Sequence, residues 1–149
     1  VGVEARTWFD KREAFVKELR REGMKFELLS EEENIVVIPV KTRGVKFIVF
    51  VDFDEDGDEA DAVNFVEPSI ARVVDAAKIP EIIVKLNQVN SDYRFAKCYL
   101  NDARDRVACD YNLIVDERNA GPVCVRALRI VVSCASRYIE ELGDLVKTS

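Results

Sequence analysis

The sequence predicts an α+β fold, in which an antiparallel sheet of about five strands packs against helices in the order α-β-β-β-α-β-β-α. Two observations support this prediction. Five segments rich in β-branched and aromatic residues are separated by turns or loops, and three other segments repeat apolar residues at helical spacing. No linker, internal repeat or low-complexity segment divides the chain, so we expect residues 1–149 to form a single domain.

The first helix is predicted by "WFDKREAFVKELRREG". Apolar side chains share one helical face and charged side chains occupy the opposite face. The apolar residues are Trp8, Phe9, Phe15, Val16 and Leu19. Gly23 follows this segment, as is typical of a helix end.

Three strands are predicted next. "IVVIPV" and "VKFIVFVDF" are separated by "KTRG" and predict a hairpin, and "AVNFVEP" predicts a third strand. The segment from there to Ala77 is ambiguous. In both hairpin segments the two alternating sets of side chains are apolar, whereas a strand exposed on one side would alternate with polar residues. We therefore expect the hairpin to be covered on both faces, at least in part.

The second helix is predicted by "IPEIIVKLNQVN", in which Pro80 suits the first turn. Its apolar stripe consists of Ile79, Ile82, Ile83, Leu86 and Val89 or Asn90.

A second hairpin is predicted by "YRFAKCYLNDARDRVACDYNLIVD". A tight turn centred on Ala103 and Arg104 sets its register. In that register Cys98 lies opposite Cys109 on an apolar face. Lys97 lies opposite Asp110 on the other face, as a favourable charge pair.

The third helix is predicted by "PVCVRALRIVVSCASRYIEELGDLV". Its polar stripe is narrow, so most of its circumference should be buried. That stripe consists of Arg126, Arg129, Ser133, Arg137 and Glu140. Together with the doubly apolar hairpin, this helix gives more apolar surface than three helices can cover, which predicts a homodimer. The alternative is that the helices wrap both faces of the sheet within one chain.

The residue types exclude several kinds of catalytic site. The chain contains no histidine, which removes Ser/His/Asp and Cys/His catalysis and histidine metal ligands. The four cysteines show no C-x-x-C spacing and have apolar neighbours, so we expect reduced, mostly buried thiols. They are Cys98, Cys109, Cys124 and Cys134. We predict no enzymatic activity, no catalytic residues, no metal site and no cofactor.

The stretch "DFDEDGDEAD" at residues 52–61 begins like a calcium loop, with Asp52, Asp54 and Asp56 before Gly57. An EF-hand needs a glutamate at the twelfth position, where this chain has Val63, and it needs a helix where this chain has a strand. The stretch holds seven acids and no base, so the rest of the chain, with a net charge of −6 overall, is close to neutral. A solvated loop is the favoured interpretation, and a calcium-responsive binding protein is the alternative.

Most of the chain resembles a known family. The run "LNQVN", followed by "YRFAKCYL", a turn, "RVACDYNLIV" and a closing helix, is similar to the YbjN family of bacterial sensory-transduction regulators. The fold of that family is similar to that of type III secretion chaperones. The resemblance covers about residues 8–142, and its specific part is residues 86–113.

In the family pattern the helix ends in paired asparagines, here Asn87 and Asn90, and the next strand carries an aromatic, a small residue and a lysine, here Phe95, Ala96 and Lys97. Glycine is common where this chain has Ala96, and the acidic stretch is a larger departure. The resemblance implies a non-enzymatic protein that binds other proteins, as a dimer. The asparagines could form a polar ligand site, but they more often cap the last helical turn.

Composition also predicts where the protein acts. No apolar run is long enough to cross a bilayer, and no basic amphipathic helix suits a membrane surface, so we expect a cytoplasmic protein. Arginines 104, 106, 118, 126, 129 and 137 are interleaved with acids rather than gathered into a stripe. We therefore expect a protein partner, whose identity the sequence does not give, and no nucleic acid.

Overall fold

The computed structural model describes residues 7–30, 33–42, 44–54 and 62–148. Within these ranges the chain forms three α-helices and seven β-strands. The helices are α1 (Thr7–Arg21), α2 (Ile79–Asp92) and α3 (Ala120–Leu142). The strands are β1 (Glu27–Leu28), β2 (Ile35–Thr42), β3 (Val45–Phe53), β4 (Ala62–Val73), β5 (Lys97–Leu100), β6 (Arg106–Ile114) and β7 (Val146–Lys147). The predicted α+β class and the order of the main elements are confirmed, and the short strands β1 and β7 are additional.

All strand pairings are antiparallel. The strands lie in the order β1-β2-β3-β4-β6-β5, and β7 pairs with the end of β4. The first predicted hairpin is confirmed, with Thr42 opposite Val45 and a positive φ of 79° at Gly44 in the tight turn. Glycine adopts this left-handed conformation without a steric penalty.

The ambiguous segment after "AVNFVEP" continues β4. The strand passes through Pro68 and its pairing with β6 shifts between Glu67 and Ala71. Such an irregularity breaks the two-residue alternation of faces, which explains why the pattern there is not that of a regular strand. Beyond it, Arg72 pairs with Arg106 of β6 on one side and with Lys147 of β7 on the other.

The register of the second hairpin is confirmed. Lys97 lies opposite Asp110 and Cys98 lies opposite Cys109. In the turn, the Asn101 side chain accepts hydrogen bonds from the backbone amides of Asp105 and Arg106, both at 3.1 Å. These bonds fix the turn that sets the register.

The helices pack on one face of the sheet. Phe15 of α1 contacts the rings of Phe53 and Phe65 in the sheet, and the α2 side chains Ile82 and Leu86 are buried in the same core. Helix α3 crosses the sheet at its middle strands, β4 and β6, and also contacts α1 and α2. The apolar circumference of α3 is therefore largely covered within the chain, contrary to the expectation that this helix would add to an exposed apolar excess.

Helices α1 and α3 approach very closely at Gly121. A Cβ atom at this position would lie 2.9 Å from the backbone oxygen of Ala14 and 3.3 Å from the Cβ of Glu18. Any larger residue would push the helices apart, so glycine is required by the packing.

Candidate functional site

The opposite face of the sheet carries none of the described helices. Outward side chains alternate with core side chains along β3, where Phe47, Val49 and Val51 are buried while Ile48 is 47 % exposed. The alternative in which helices wrap both faces is thus wrong for the described part of the chain. We call this surface the open face. Its apolar centre consists of Val37, Pro39, Ile48, Phe50, Val66 and Pro68.

A shallow groove of about 760 Å³ crosses the apolar centre. It is lined by Pro39, Ile48, Phe50 and Pro68, with Lys46 at its rim. An exposed apolar surface on a sheet is typical of an interface. The double apolar character of the hairpin therefore corresponds to one buried face and one open face, so the expected cover on both faces is absent within the described part of the chain.

Positive charge gathers at one end of the open face. Lys41 lies directly opposite Lys46 on neighbouring strands, and Arg72 lies between Arg106 and Lys147. Like charges in directly opposite positions destabilise a sheet. None of these five cations forms an ion pair with an acid in the described ranges. We call them the basic end.

The other end of the open face is acidic. Asp52 accepts a hydrogen bond from Asn34 Nδ2 at 2.8 Å, and Asp54 accepts one from Asn64 Nδ2 at 3.1 Å. These bonds hold both carboxylates in place at the end of β3. We call Asp52 and Asp54 the acidic end.

The remainder of the calcium-like stretch, residues 55–61, lies outside the described residues. Val63, at the twelfth position of the loop, is a buried strand residue. In the described part of the chain no three acidic or thiol side chains are grouped so as to hold a metal ion. The favoured interpretation of the stretch as a solvated loop stays a prediction, and so does its alternative, a calcium-responsive protein.

Both edges of the sheet are closed against another strand. At the β5 edge, Asn90 Nδ2 donates to the carbonyl of Cys98 at 2.8 Å, and the Cys98 amide donates to Asn90 Oδ1 at 2.9 Å. The asparagine thus occupies the hydrogen-bonding groups that an added strand would use. It ties α2 to β5 instead of capping the helix, which ends two residues later at Asp92. Asn87 is exposed and makes no such tie.

At the other edge of the sheet, along β2, the residue types disfavour the addition of another strand. The Phe53 amide donates to the Asn34 carbonyl at 3.0 Å. Because hydrogen bonding alternates along an antiparallel pair, the backbone groups of Pro39 and Lys41 face away from β3. β1 pairs only with Val36 and Val37, so these groups lie on the free part of the edge. Proline offers no amide there, and lysine is a common guard of such edges.

A buried acid lies inside the core, where the sequence predicted none. Glu67 is 0 % exposed and lies opposite Cys109, near Cys98 and Cys134. Burial raises the pKa of Glu67 to about 9, and the contact with the Cys109 thiol offsets part of that rise. Neither carboxyl oxygen has a hydrogen-bond partner in the described structure. With a pKa of about 9, the side chain keeps its proton at neutral pH. The signal in the sequence was its place in "VNFVE", at the inward position after Val63 and Phe65.

The predicted burial of the four cysteines is confirmed. Burial raises the pKa of Cys124 to about 12, and it also raises the pKa of Cys134. The pKa of Cys109 is raised by its hydrogen bond with Cys98 and by burial. Thiols held protonated in this way are poor nucleophiles.

A second groove, of about 470 Å³, lies between β2 and α3 on the helical side of the sheet. Its apolar floor is formed by Ile38, Val40, Leu128 and Val132, with Met24 at one end. Three cationic side chains also line the groove, those of Lys25, Arg129 and Arg137. Of these cations only Arg129 forms an ion pair in the described ranges, with Glu22 at 3.1 Å. We call this the α3 groove. It combines apolar and positive surface.

No helix in the described chain is long and apolar enough to span a membrane. Among known proteins, the model of the YbjN family, described as "Putative bacterial sensory transduction regulator", matches residues 12–144. The crystal structure of YbjN from E. coli, described as "a putative transcription regulator", has a TM-score of 0.62 to this chain at 15% identity. The match covers 90% of this chain and 93% of that one, and it shows the shared fold. No curated protein matches.

Proposed function

This chain belongs to the YbjN family, and from that premise we propose that it is a non-enzymatic regulatory module of the bacterial cytoplasm that binds another protein and acts as a homodimer. Residues 1–149 act as one domain in this proposal. The family description supports a regulatory role. The histidine-free sequence and the protonated thiols support binding rather than catalysis. The similarity to type III secretion chaperones remains a prediction from the family resemblance.

The observation that carries this function is the α3 groove. A partner segment that fits it needs apolar side chains for the floor and carboxylates for the cations around it. An amphipathic, acidic segment has both. Because both sheet edges are closed, addition of a partner strand is disfavoured, and a groove between a helix and a strand is the better site.

A photo-crosslinking amino acid placed at the exposed groove residue Ser133 tests this proposal in living bacteria. We expect a discrete protein adduct that weakens when Arg137→Glu reverses the charge beside the groove. The same probe at Lys17, on the exposed side of α1, is the control. Equal adducts from both positions, or none from Ser133, would refute binding in the groove.

A further inference from the structure

We propose that the groove on the open face binds a long-chain carboxylate, a fatty-acid anion, whose alkyl chain lies on the apolar centre and whose carboxylate lies among three lysines. The lysines are Lys25, Lys41 and Lys46, and we call the site the open-face groove. The inference adds a small-molecule site to the proposed function and does not depend on a protein in the α3 groove.

The open-face groove exists because β4 leaves β3 at a proline. Pairing of these two strands ends at Phe50. The Asp54 amide donates to the Ala62 carbonyl at 3.1 Å, so every second residue back along β3, including Ile48, faces β4. The next pair would place Ile48 opposite Pro68, in a position where each residue donates its amide to the other. Proline has no amide, so the pairing stops there and a groove opens between the strands.

The floor of the open-face groove suits an alkyl chain. It consists of side chains without hydrogen-bonding groups, those of Pro39, Ile48, Phe50 and Pro68. An alkyl chain needs no hydrogen bonds, whereas the amide groups of a peptide laid on these side chains would lose water without gaining a partner. The groove volume of about 760 Å³ lies within the range of about 300–1,000 Å³ typical of small-molecule sites, which are mostly apolar with a few polar groups.

The lysines favour a negatively charged head group. No acid lines the open-face groove among the described residues, and its three lysines form no ion pair in the described ranges. Lys41 lies directly opposite Lys46, an arrangement of like charges that destabilises a sheet. Lys25 joins them from the β2 side, where it and Lys41 also line the α3 groove. A carboxylate between these ammonium groups would offset their repulsion and accept charge-assisted hydrogen bonds.

Larger anions fit the open face less well than a fatty acid does. Lys46 and Asp52 are six residues apart on β3, which corresponds to about 20 Å, or about two Debye lengths at physiological salt. A single carboxylate at the lysines is therefore screened from the acidic end. A nucleic-acid backbone or an anionic membrane surface would extend over both ends and would be repelled by Asp52 and Asp54.

Isothermal titration calorimetry of the purified chain with dodecanoate tests the proposal. We expect saturable binding of one dodecanoate per chain. Decanoate should bind about tenfold more weakly, because each buried CH₂ group lowers the Kd by up to about fourfold. Dodecyltrimethylammonium, which has a similar tail and the opposite charge, should bind at least about tenfold more weakly than dodecanoate.

Variants of the groove locate the site. Ile48→Asp in the floor, and Lys41→Glu with Lys46→Glu at the head group, should each raise the dodecanoate Kd by at least about tenfold. Lys41→Arg with Lys46→Arg should keep the wild-type affinity. Lys17→Glu with Arg118→Glu makes the same change of net charge outside the groove and should bind as the wild type does. The changed side chains are exposed, so all variants should melt within a few degrees of the wild type.

Several results would overturn the proposal. These are a lack of saturable binding below the concentration at which dodecanoate forms micelles, equal affinities for dodecanoate and the cationic detergent, and unchanged affinity in both groove variants. Binding to phosphatidylglycerol vesicles in place of free dodecanoate, lost in Lys41→Glu with Lys46→Glu, would assign the groove to a membrane surface. The adduct from Ser133 judges the proposed function separately, so either proposal can fail without the other.

Discussion

Glu67 should make the stability of this protein fall as the pH rises. The pKa of this carboxyl is about 9 in the folded chain against 4.5 for the unperturbed group, so the folded state keeps a proton that the unfolded state loses. The contribution of Glu67 to the free energy of unfolding is fully present below pH 4.5 and is lost progressively between pH 4.5 and pH 9. One proton corresponds to about 1.4 kcal/mol per pH unit, which gives a loss of about 3 kcal/mol between pH 5.5 and 8.

The absence of histidine makes this signal easy to isolate. Histidine is the side chain that ordinarily titrates between pH 5 and 8, and this chain has none. Urea unfolding at pH 5.5 and pH 8 measures the difference, which corresponds to a midpoint shift of about 1.5 M for an m-value of about 2 kcal/mol/M.

Glu67→Gln removes the titrating group and keeps the shape of the side chain. We expect this variant to lose the pH dependence and to exceed the wild type at pH 8. Glu117→Gln, in an exposed turn, is the control and should behave as the wild type does. A wild type equally stable at both pH values, or an unchanged slope in Glu67→Gln, would refute a protonated Glu67.

Three other predictions concern single features. Millimolar calcium should change the melting temperature by less than a degree, because residues 52–61 lack the glutamate of an EF-hand; a shift of several degrees that disappears when their aspartates become asparagines would reverse this. Mild oxidation should link Cys98 to Cys109. The backbone of Cys98 bonds to Asn90, so Cys98 and Cys109 form a non-hydrogen-bonded cross-strand pair, in which the side chains lie close together. A different dominant disulfide in mass spectrometry would contradict this register. Asn90→Ala should lower the free energy of unfolding in urea by about 2 kcal/mol and speed amide hydrogen exchange at Cys98. An equal loss of stability in Asn87→Ala would show that the tie from Asn90 to Cys98 is not the cause.

The main strands and helices could be predicted because their patterns are local. The β5–β6 register followed from two requirements that agree, an apolar face with Cys98 opposite Cys109 and a charge pair between Lys97 and Asp110. The strands β1 and β7 could not be predicted, since two residues carry no periodicity. Their pairing depends on partners far away in the sequence, as with Arg72 and Lys147.

The candidate site was less predictable for the same reason. The sequence showed arginines interleaved with acids, yet the fold gathers Arg72, Arg106 and Lys147 from three strands into one row. The expected capping role of the paired asparagines is not what Asn90 performs, because its tie to Cys98 depends on the position of β5, which the sequence does not give. Glu67 was visible only as an acid at an inward strand position.

The close contact of α1 with α3 has a consequence for synthesis of the protein. Gly121 meets Ala14 across about a hundred residues of sequence, so the ribosome makes strands β1 to β6 before α3 can cover them. During that interval both faces of the nascent sheet expose apolar side chains to other chains and to chaperones. Premature termination before residue 120 would therefore release a fragment prone to aggregation and proteolysis, and folding should be completed only after α3 emerges.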